Sequence, residues 1–196
     1  MREKITIIDC GIGNLASVGN AFQSLGADVA ITSTPEGIEG AQRIVLPGVG
    51  AFGYFMEQLR ARGLEEPLRM AINGKKPYLG ICLGMQILFE ESEESLGCKG
   101  LGIFSGKVIE FREGKVPQVG WNYIKSKNDK ILNDGYAYFT NSYYCKPKET
   151  RYVVGGSDYF GQFACAVRKE NVFAVQFHPE RSGKYGLELL KRWIEC

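Results

Sequence analysis

The sequence predicts an α/β protein with a mostly parallel central sheet and an antiparallel extension in its second half. In the first ninety residues, short apolar and β-branched runs alternate with segments of helical spacing, as in parallel sheets with helices on both faces. In the second half, short runs follow one another across polar or glycine-containing turns, which is typical of antiparallel strands. Glycine supplies 25 of the 196 residues, well above the usual level of roughly 7%.

The first half opens with a predicted buried strand at Lys4–Asp9, which is mostly apolar and β-branched. Asn14 is the expected cap of the helix that follows, and Gly26 is its expected end. Helical spacing resumes after Cys82, at Met85, Leu88 and Phe89. The other predicted elements of this half are strands at Val29–Ile31, Arg43–Leu46 and Pro77–Ile81, and helices at Tyr54–Arg60 and Glu66–Ile72.

The second half is predicted to end in a helix, because Tyr185, Leu189 and Trp193 form one row at i, i+4 spacing. No linker, internal repeat or low-complexity segment divides the chain, so residues 1–196 are expected to form a single domain. The strand candidates before the last helix are Lys107–Phe111, Trp121–Lys125, Gly135–Asn141, Arg151–Gly155, Phe163–Arg168 and Val172–Gln176.

Composition excludes several classes of function. The formal net charge is +2 with scattered lysines and arginines, so no basic stripe predicts nucleic-acid binding. No apolar run approaches the roughly 18 residues of a membrane span. A single histidine and six cysteines without a CxxC pair argue against a metal site, and no glycine-rich nucleotide motif predicts a cofactor. The protein is expected to be cytoplasmic, with reduced cysteines.

A candidate nucleophile, Cys82, lies in the sequence Gly80-Ile81-Cys82-Leu83-Gly84 between a predicted strand and helical spacing. This G-x-C-x-G pattern has the form of a nucleophile elbow, a sharp turn that exposes the side chain at the carboxyl end of the sheet. The amino terminus of a following helix would favour a thiolate, and the Leu83 N–H would be a natural oxyanion donor. A buried cysteine in a tight turn would explain the same pattern.

The only histidine, His178, follows the predicted strand Val172–Gln176 and precedes Pro179 and Glu180. It should therefore emerge at the edge of the sheet where open α/β proteins bind ligands. Glu180 is placed to turn back and hydrogen-bond the imidazole, which completes the nucleophile, base and carboxylate of an activated-thiol triad. A structural histidine and a helix-capping glutamate are the competing interpretations.

A third loop, Pro47-Gly48-Val49-Gly50, also ends a predicted strand. Glycines on both sides of Val49 allow its peptide to flip and present an N–H to an oxyanion, although a plain turn would need the same residues. Extended to Ala51-Phe52 and taken together with Gly80-Ile81-Cys82-Leu83-Gly84-Met85-Gln86 and Phe177-His178-Pro179-Glu180, this loop resembles the class I (triad) glutamine amidotransferases. The segments Gly11–Leu15, Phe89–Glu94 and Val119–Asn122 resemble the glutaminase subunits of imidazole glycerol phosphate synthases within that class.

The resemblance extends along the whole chain and implies a flavodoxin-like three-layer α/β fold. It implies that Cys82 attacks the side-chain amide of L-glutamine, that His178 moves protons and that Glu180 orients His178. It further implies that Leu83 and the Val49–Gly50 peptide hold the oxyanion. The positions that match the glutamine pocket are Gln86, Glu94 and the backbone of Asn141, Ser142 and Tyr143.

The resemblance also implies a heterodimer, in which ammonia passes to a (β/α)8-barrel cyclase subunit for imidazole-ring closure in histidine biosynthesis. Trp121 is a candidate aromatic anchor for this partner, with core packing as the competing role. Arg181 is a candidate salt-bridge donor to the partner, with a plain surface cation as the competing role.

Four positions depart from the family pattern: Cys10 replaces tyrosine, Gln118 and Asn141 replace histidines, and Arg181 replaces lysine. These changes leave open a paralogue that supplies ammonia to another acceptor, such as a surface sugar. A stand-alone thiol hydrolase, active as an isolated chain, and a noncatalytic subunit of the same fold are further alternatives.

Overall fold

The computed structural model describes residues 2–196, which form one continuous sheet of 12 strands flanked by helices. Along the main path the strand order is β2-β1-β3-β4-β12-β11-β10-β7-β8. The strands are β1 (Lys4–Ile8), β2 (Asp28–Thr32), β3 (Arg43–Gly48), β4 (Tyr78–Cys82), β5 (Glu91–Ser92), β6 (Gly106–Glu110), β7 (Gln118–Ser126), β8 (Gly135–Asn141), β9 (Tyr143–Pro147), β10 (Val153–Asp158), β11 (Gln162–Lys169) and β12 (Val172–Val175).

The first five strands of this order are parallel, so their carboxyl ends lie at one edge of the sheet. β4 is paired with β3 on one side and with β12 on the other, both in parallel register. β12 comes from the far end of the sequence and closes the parallel half by pairing antiparallel to β11. The antiparallel extension continues through β10, β7 and β8, while β6 and β9 pair beside it.

Helices cover both faces of the parallel half, which confirms the expected three-layer α/β architecture. Helices α3 and α4 bury apolar side chains in the core on one face, and α1 and α6 do so on the other. Between the latter two, Phe22 and Trp193 meet edge-to-face with ring centroids 5.9 Å apart. The helices are α1 (Leu15–Ser24), α2 (Pro35–Glu39), α3 (Phe52–Ala61), α4 (Glu65–Asn73), α5 (Leu83–Gln86) and α6 (Gly183–Ile194).

The predicted helix caps and most predicted strands agree with the structure, and four features differ. Asn14 caps α1 by accepting a hydrogen bond from the Ser17 N–H. The short helix α2, capped by Thr34, and the strands β5 and β9 were not predicted. The helical spacing after Cys82 yields only the four-residue α5. Within residues 2–196, no helix has both the length and the apolar character needed to cross a bilayer.

Helix α5 ends early because the chain downstream takes up the carbonyls that would continue it. The Leu101 N–H donates to the Ile87 carbonyl, with an N···O distance of 2.7 Å, and the Phe104 N–H donates to the Leu88 carbonyl at 3.0 Å. The backbone at Gly100 lies so close to these residues that a Cβ there would be 2.2 Å from the Phe89 oxygen. A four-residue helix carries little dipole, so the predicted effect of the helix dipole on Cys82 is small.

Candidate active site

The three sequence motifs meet at the carboxyl edge of the parallel sheet, because β3, β4 and β12 are adjacent there. Gly48 at the end of β3 is in register with Cys82 at the end of β4. On the other side of β4, Ile81 is in register with Val175, two residues before Phe177-His178. The fold therefore brings together residues that are almost a hundred positions apart in the chain.

Cys82 occupies a strained turn between β4 and α5. Its backbone has φ 56° and ψ −109°, a region that costs a non-glycine residue about 1–3 kcal/mol. Glycines on both sides make the turn possible: a Cβ at Gly84 would lie 1.9 Å from the Leu46 carbonyl oxygen, and one at Gly80 would lie 2.4 Å from the Gly84 oxygen. Strain maintained at one cysteine by such close packing is typical of a functional nucleophile.

His178 is held between a carboxylate and the thiol. Its Nδ1 lies 2.9 Å from Glu180 Oε1, and only 7% and 2% of the two side chains are exposed. Burial lowers the pKa of His178, but its hydrogen bonds to Cys82 and Glu180, together with their charges, outweigh burial and raise the pKa to about 10. This environment therefore favours the charged imidazole at neutral pH, and Glu180 is its hydrogen-bonded carboxylate partner.

The backbone around His178 is fixed by the strand β8. The His178 N–H donates to the Tyr138 carbonyl at 2.9 Å, and the Ser182 hydroxyl donates to the His178 carbonyl at 2.6 Å. The same hydroxyl accepts a hydrogen bond from the Tyr138 N–H. A 3-10 turn at Pro179–Arg181 then returns the Glu180 carboxylate toward the imidazole. These contacts explain how His178 and Glu180, only two positions apart in the chain, form a hydrogen-bonded pair.

A pocket of about 290 Å³ opens above Cys82 and His178, a size at the small end of ligand pockets. All eight residues predicted for glutamine and oxyanion binding line it. The pocket is lined by Val49, Gly50, Cys82, Leu83, Gln86, Glu94, Pro117, Thr140, Asn141, Ser142, Tyr143, His178 and Arg181.

The candidate oxyanion donors lie at the pocket wall beside Cys82. Leu83 is the first residue of α5, so its N–H has no partner within that helix. On the opposite side, Val49 is exposed and Gly50 has φ +93°, a conformation that favours glycine. Gly50 thus permits a backbone conformation that other residues rarely adopt, as the predicted oxyanion peptide requires.

The candidate glutamine-binding residues form an ordered wall. Gln86 uses both hydrogens of its side-chain amide, donating to the Tyr143 carbonyl at 3.1 Å and to Gln176 Oε1 at 3.0 Å. Glu94 Oε2 accepts from the Phe52 N–H at 2.7 Å, and Ser142 offers its carbonyl to the Phe111 N–H. The Gln86 side-chain oxygen and the second Glu94 oxygen are therefore acceptors that remain available to a ligand.

Asn141 contributes a buried amide whose orientation is fixed by the backbone. Its Nδ2 donates to the Tyr143 carbonyl at 3.0 Å, while its Oδ1 is buried without a hydrogen-bond partner. Gln118, which faces Asn141 in the β7–β8 register, also has an unpaired buried side-chain oxygen. Two of the departures from the family pattern therefore lie side by side next to the pocket.

Trp121 lies outside the pocket on an exposed face of β7 and β8, and Arg181 lies at the edge of the pocket beside this face. Trp121 is 57% exposed, which excludes core packing, and its ring meets Tyr138 edge-to-face. The Arg181 guanidinium lies 4.2 Å from the centroid of the Tyr138 ring and also lines the pocket. We call this surface the aromatic face; it consists of Val119, Trp121, Tyr123, Tyr136 and Tyr138.

One side chain in contact with the nucleophile was not predicted. Gln176 Nε2 lies 3.6 Å from Cys82 Sγ, in addition to the Gln86 contact. In the sequence Gln176 is only the last residue of an apolar strand candidate, and nothing local distinguishes it. Among residues 2–196, no three His, Cys, Asp or Glu side chains are grouped so that they could hold a metal ion.

Comparison with known families identifies the class of protein that has this fold and site. Residues 6–195 match the family model for glutamine amidotransferase class-I. The chain belongs to the class-I glutamine amidotransferases, and it is therefore an enzyme subunit of that class. Within the class it belongs to the family of imidazole glycerol phosphate synthase subunit HisH, as the following relatives show.

The similarity to these relatives covers nearly the whole chain. The protein named imidazole glycerol phosphate synthase subunit HisH from Methanothermobacter thermautotrophicus is 46% identical over 196 residues, covering 97% of this chain and 98% of the relative. The protein of the same name from Thermococcus kodakarensis is 48% identical over 203 residues, covering 96% and 98%. The predicted family resemblance is confirmed.

Solved structures with little sequence identity have the same fold. A crystal structure of a glutamine amidotransferase superposes with a TM-score of 0.79 at 19% identity, covering 97% of each chain. The structure of PurLQS from Thermotoga maritima superposes with a TM-score of 0.81 at 16% identity, covering 100% of this chain and 99% of the other. The flavodoxin-like α/β fold class is confirmed.

Proposed function

We propose that this protein is the glutaminase subunit of an imidazole glycerol phosphate synthase, and that Cys82, His178 and Glu180 are its catalytic triad. The observation that carries the proposal is that the strained Cys82 and the hydrogen-bonded pair His178–Glu180 meet at one pocket, which both Cys82 and His178 line. The family assignment supports the same chemistry.

The reaction begins when the Cys82 sulfur attacks the side-chain carbonyl carbon of L-glutamine. The negative charge that develops on the carbonyl oxygen is stabilised by hydrogen bonds donated by the Leu83 N–H and by the peptide N–H between Val49 and Gly50. His178 then donates a proton to the departing nitrogen, which leaves as ammonia, and a glutamyl thioester remains on the sulfur. Because the pKa of His178 is raised to about 10, the imidazole holds this proton at neutral pH.

Hydrolysis of the thioester completes the cycle. His178, now neutral, accepts a proton from a water molecule as that water attacks the thioester carbon, and Cys82 departs with glutamate released. Glu180 stabilises the imidazolium and fixes its tautomer through the 2.9 Å contact to Nδ1. The carboxylate does not need to be protonated at any step.

The pocket wall suits the two ends of a free amino acid. The Glu94 carboxylate is matched to the α-ammonium group, and the Gln86 side-chain oxygen is a further acceptor. The carbonyls of Ser142 and Tyr143 are already hydrogen-bonded, so the backbone at Asn141–Tyr143 would recognise the substrate carboxylate through N–H groups. This arrangement favours free glutamine over a glutamine residue within a peptide, because the α-amino and α-carboxyl groups of the latter are tied up in peptide bonds.

We further propose that a (β/α)8-barrel cyclase subunit docks on the aromatic face and receives the ammonia. Trp121 and Tyr136 are 57% and 60% exposed, and large exposed aromatics are typical interface anchors. Arg181 stacks on Tyr138 at the pocket mouth, so a partner on this face would also cover the site of ammonia release. All six cysteines are unpaired thiols, which supports a cytoplasmic location.

The test compares Cys82→Ala with Cys98→Ala, which alters a thiol that does not line the pocket. In complex with the cyclase subunit, Cys82→Ala is expected to lower glutamine hydrolysis by roughly a thousandfold or more, while Cys98→Ala retains it. Glutamine labelled with ¹⁵N in its amide should deliver the label to the product of the cyclase. Retained turnover in Cys82→Ala would refute the triad, and labelling of a sugar instead would identify a paralogous acceptor.

The same assay separates the proposal from a stand-alone thiol hydrolase. Val49 is exposed and is flanked by Gly48 and Gly50, which allow its peptide to flip, so we expect the oxyanion hole to be complete only when the partner and its ligand are bound. Turnover should therefore be weak for the isolated chain and should increase strongly on adding the cyclase subunit. Full activity of the isolated chain would favour the hydrolase.

A further inference from the structure

A buried glutamine connects the nucleophile to the wall of the pocket. The Gln176 side chain contacts Cys82 Sγ through Nε2 at 3.6 Å and Gln86 through Oε1 at 3.0 Å. Gln86 in turn donates to the Tyr143 carbonyl, which also accepts from Asn141. A continuous series of amide groups therefore runs from the sulfur to the far side of the pocket.

The hydrogen bonds of Gln86 fix which end of the Gln176 amide faces the sulfur. Gln86 Nε2 is a donor only, so its partner on Gln176 must be the oxygen. The Gln176 nitrogen is then left pointing toward Cys82, where it donates to the sulfur. The opposite orientation of the amide would place two N–H groups against each other.

The burial of Gln176 indicates that these contacts are needed. The residue is 0% exposed and follows β12, all of whose residues are buried and apolar. Burying a side-chain amide is unfavourable unless its polar atoms are hydrogen-bonded. An apolar side chain would pack in this position more easily, so the amide serves a purpose other than filling the core.

We propose that Gln176 is a positioning residue for glutamine hydrolysis, which aligns the Cys82 sulfur and the substrate-binding Gln86 with each other. The proposal rests on the proposed function of Cys82. The Gln176 amide orients the Cys82 sulfur and also positions the Gln86 side chain. The attacking sulfur and the bound glutamine are therefore positioned relative to each other by the same residue. Such alignment within a few tenths of an ångström affects the rate of attack strongly.

The two hydrogen bonds of Gln176 predict separable kinetic effects. Gln176→Met keeps nearly the same volume and removes both hydrogen bonds. Loss of the contact to the sulfur is expected to lower kcat about fivefold to tenfold, the usual effect of one neutral hydrogen bond. Loss of the contact to Gln86 is expected to raise KM for glutamine several-fold, because Gln86 is then less well held.

A double-mutant cycle with Gln86→Met separates positioning from general packing. In the Gln86→Met background, adding Gln176→Met should no longer change KM, because the contact it removes is already absent. The effect on kcat should persist, because the contact to the sulfur is independent of Gln86. Additive effects on KM, or unchanged kcat in Gln176→Met, would overturn the proposal.

A second variant keeps the test decisive if Gln176→Met folds poorly. Gln176→Asn retains the amide but is shorter by one methylene, so it can reach the sulfur or Gln86 but not both. Compared with Gln176→Met, we expect Gln176→Asn to recover either the wild-type kcat or the wild-type KM, but not both. Wild-type values of both constants would overturn the proposal. Gln23→Met, on the exposed side of α1, should leave both values unchanged.

The assays use the full-length chain in complex with the cyclase subunit. A glutamine-analogue chloroketone is first shown to alkylate Cys82 of the wild-type protein, which tests the proposed function separately. If Cys82 is not labelled, the proposed function fails. If it is labelled and Gln176→Met is kinetically wild-type, only the positioning role fails.

Discussion

Replacing Glu180 with glutamine removes the negative charge that faces His178 and leaves the size of the side chain unchanged. In the wild-type protein the carboxylate lies 2.9 Å from His178 Nδ1, and its second oxygen is buried without a hydrogen-bond partner. The amide of Glu180→Gln can still accept the Nδ1 hydrogen through its oxygen. The variant therefore isolates the contribution of the charge from that of the geometry.

The expected magnitude follows from the burial of the pair. Only 7% and 2% of the two side chains are exposed, so solvent screens their interaction little. A hydrogen bond to a charged group contributes about 1.5–3 kcal/mol, and a loss of about 2 kcal/mol in stabilising the imidazolium corresponds to a fall of about thirtyfold in kcat. The pKa of His178 should also fall from about 10 toward its ordinary value.

The assay is steady-state glutamine hydrolysis by the complex between pH 5 and pH 10. Because His178 must be protonated to release ammonia, a lower pKa should move the alkaline limb of the kcat profile of Glu180→Gln to lower pH. A variant with wild-type kcat and an unmoved alkaline limb would refute the role of the carboxylate. Glu188→Gln, which changes an exposed carboxylate on α6, is the matched control.

Three further predictions concern stability and association. Because the pKa of His178 is raised, the stability that comes from its pairing with Glu180 is fully present below about pH 6.5 and is lost as pH rises toward 10. The loss in free energy of unfolding caused by Glu180→Gln, measured with urea, should therefore be larger at pH 6 than at pH 10. Equal losses at the two pH values would contradict this. Gly84→Ala places a Cβ 1.9 Å from the Leu46 oxygen and should lower the free energy of unfolding by about 3 kcal/mol, whereas Gly19→Ala in α1 should not. An unchanged urea midpoint in Gly84→Ala would argue against the tight elbow. Trp121→Ala should weaken binding of the cyclase subunit at least about tenfold by calorimetry, whereas Phe160→Ala, which also removes an exposed aromatic, should not; equal affinities would remove Trp121 from the interface.

The sequence was sufficient to predict where the chemistry-bearing side chains emerge, because each follows a recognisable strand. The turn at Cys82 requires glycines at positions 80 and 84, and these close approaches to Leu46 and Gly84 are present in the structure. The segment Gly135–Asn141 was predicted with its observed bounds. These features depend on local backbone geometry, which can be predicted from short sequence motifs.

Features that depend on distant pairing were not predicted. The strand β9 is short and follows β8 after a single residue, so its separate pairing with β6 leaves no signal in periodicity. The length of α5 is limited by hydrogen bonds from residues near Leu101. In the sequence, Gln176 looks like any polar residue at the end of a strand. Its role is indicated only by the contact with Cys82 in the structure.

The central claim is that the Cys82 sulfur becomes covalently bonded to the substrate during turnover. The most direct measurement is rapid acid quenching of the complex with labelled glutamine, followed by mass spectrometry of the peptides. We predict a glutamyl group on the Cys82 peptide that accumulates before the steady state and is absent from Cys82→Ala. Glutamine turnover at the full rate with no adduct at Cys82, or with the adduct on another cysteine, would contradict the account.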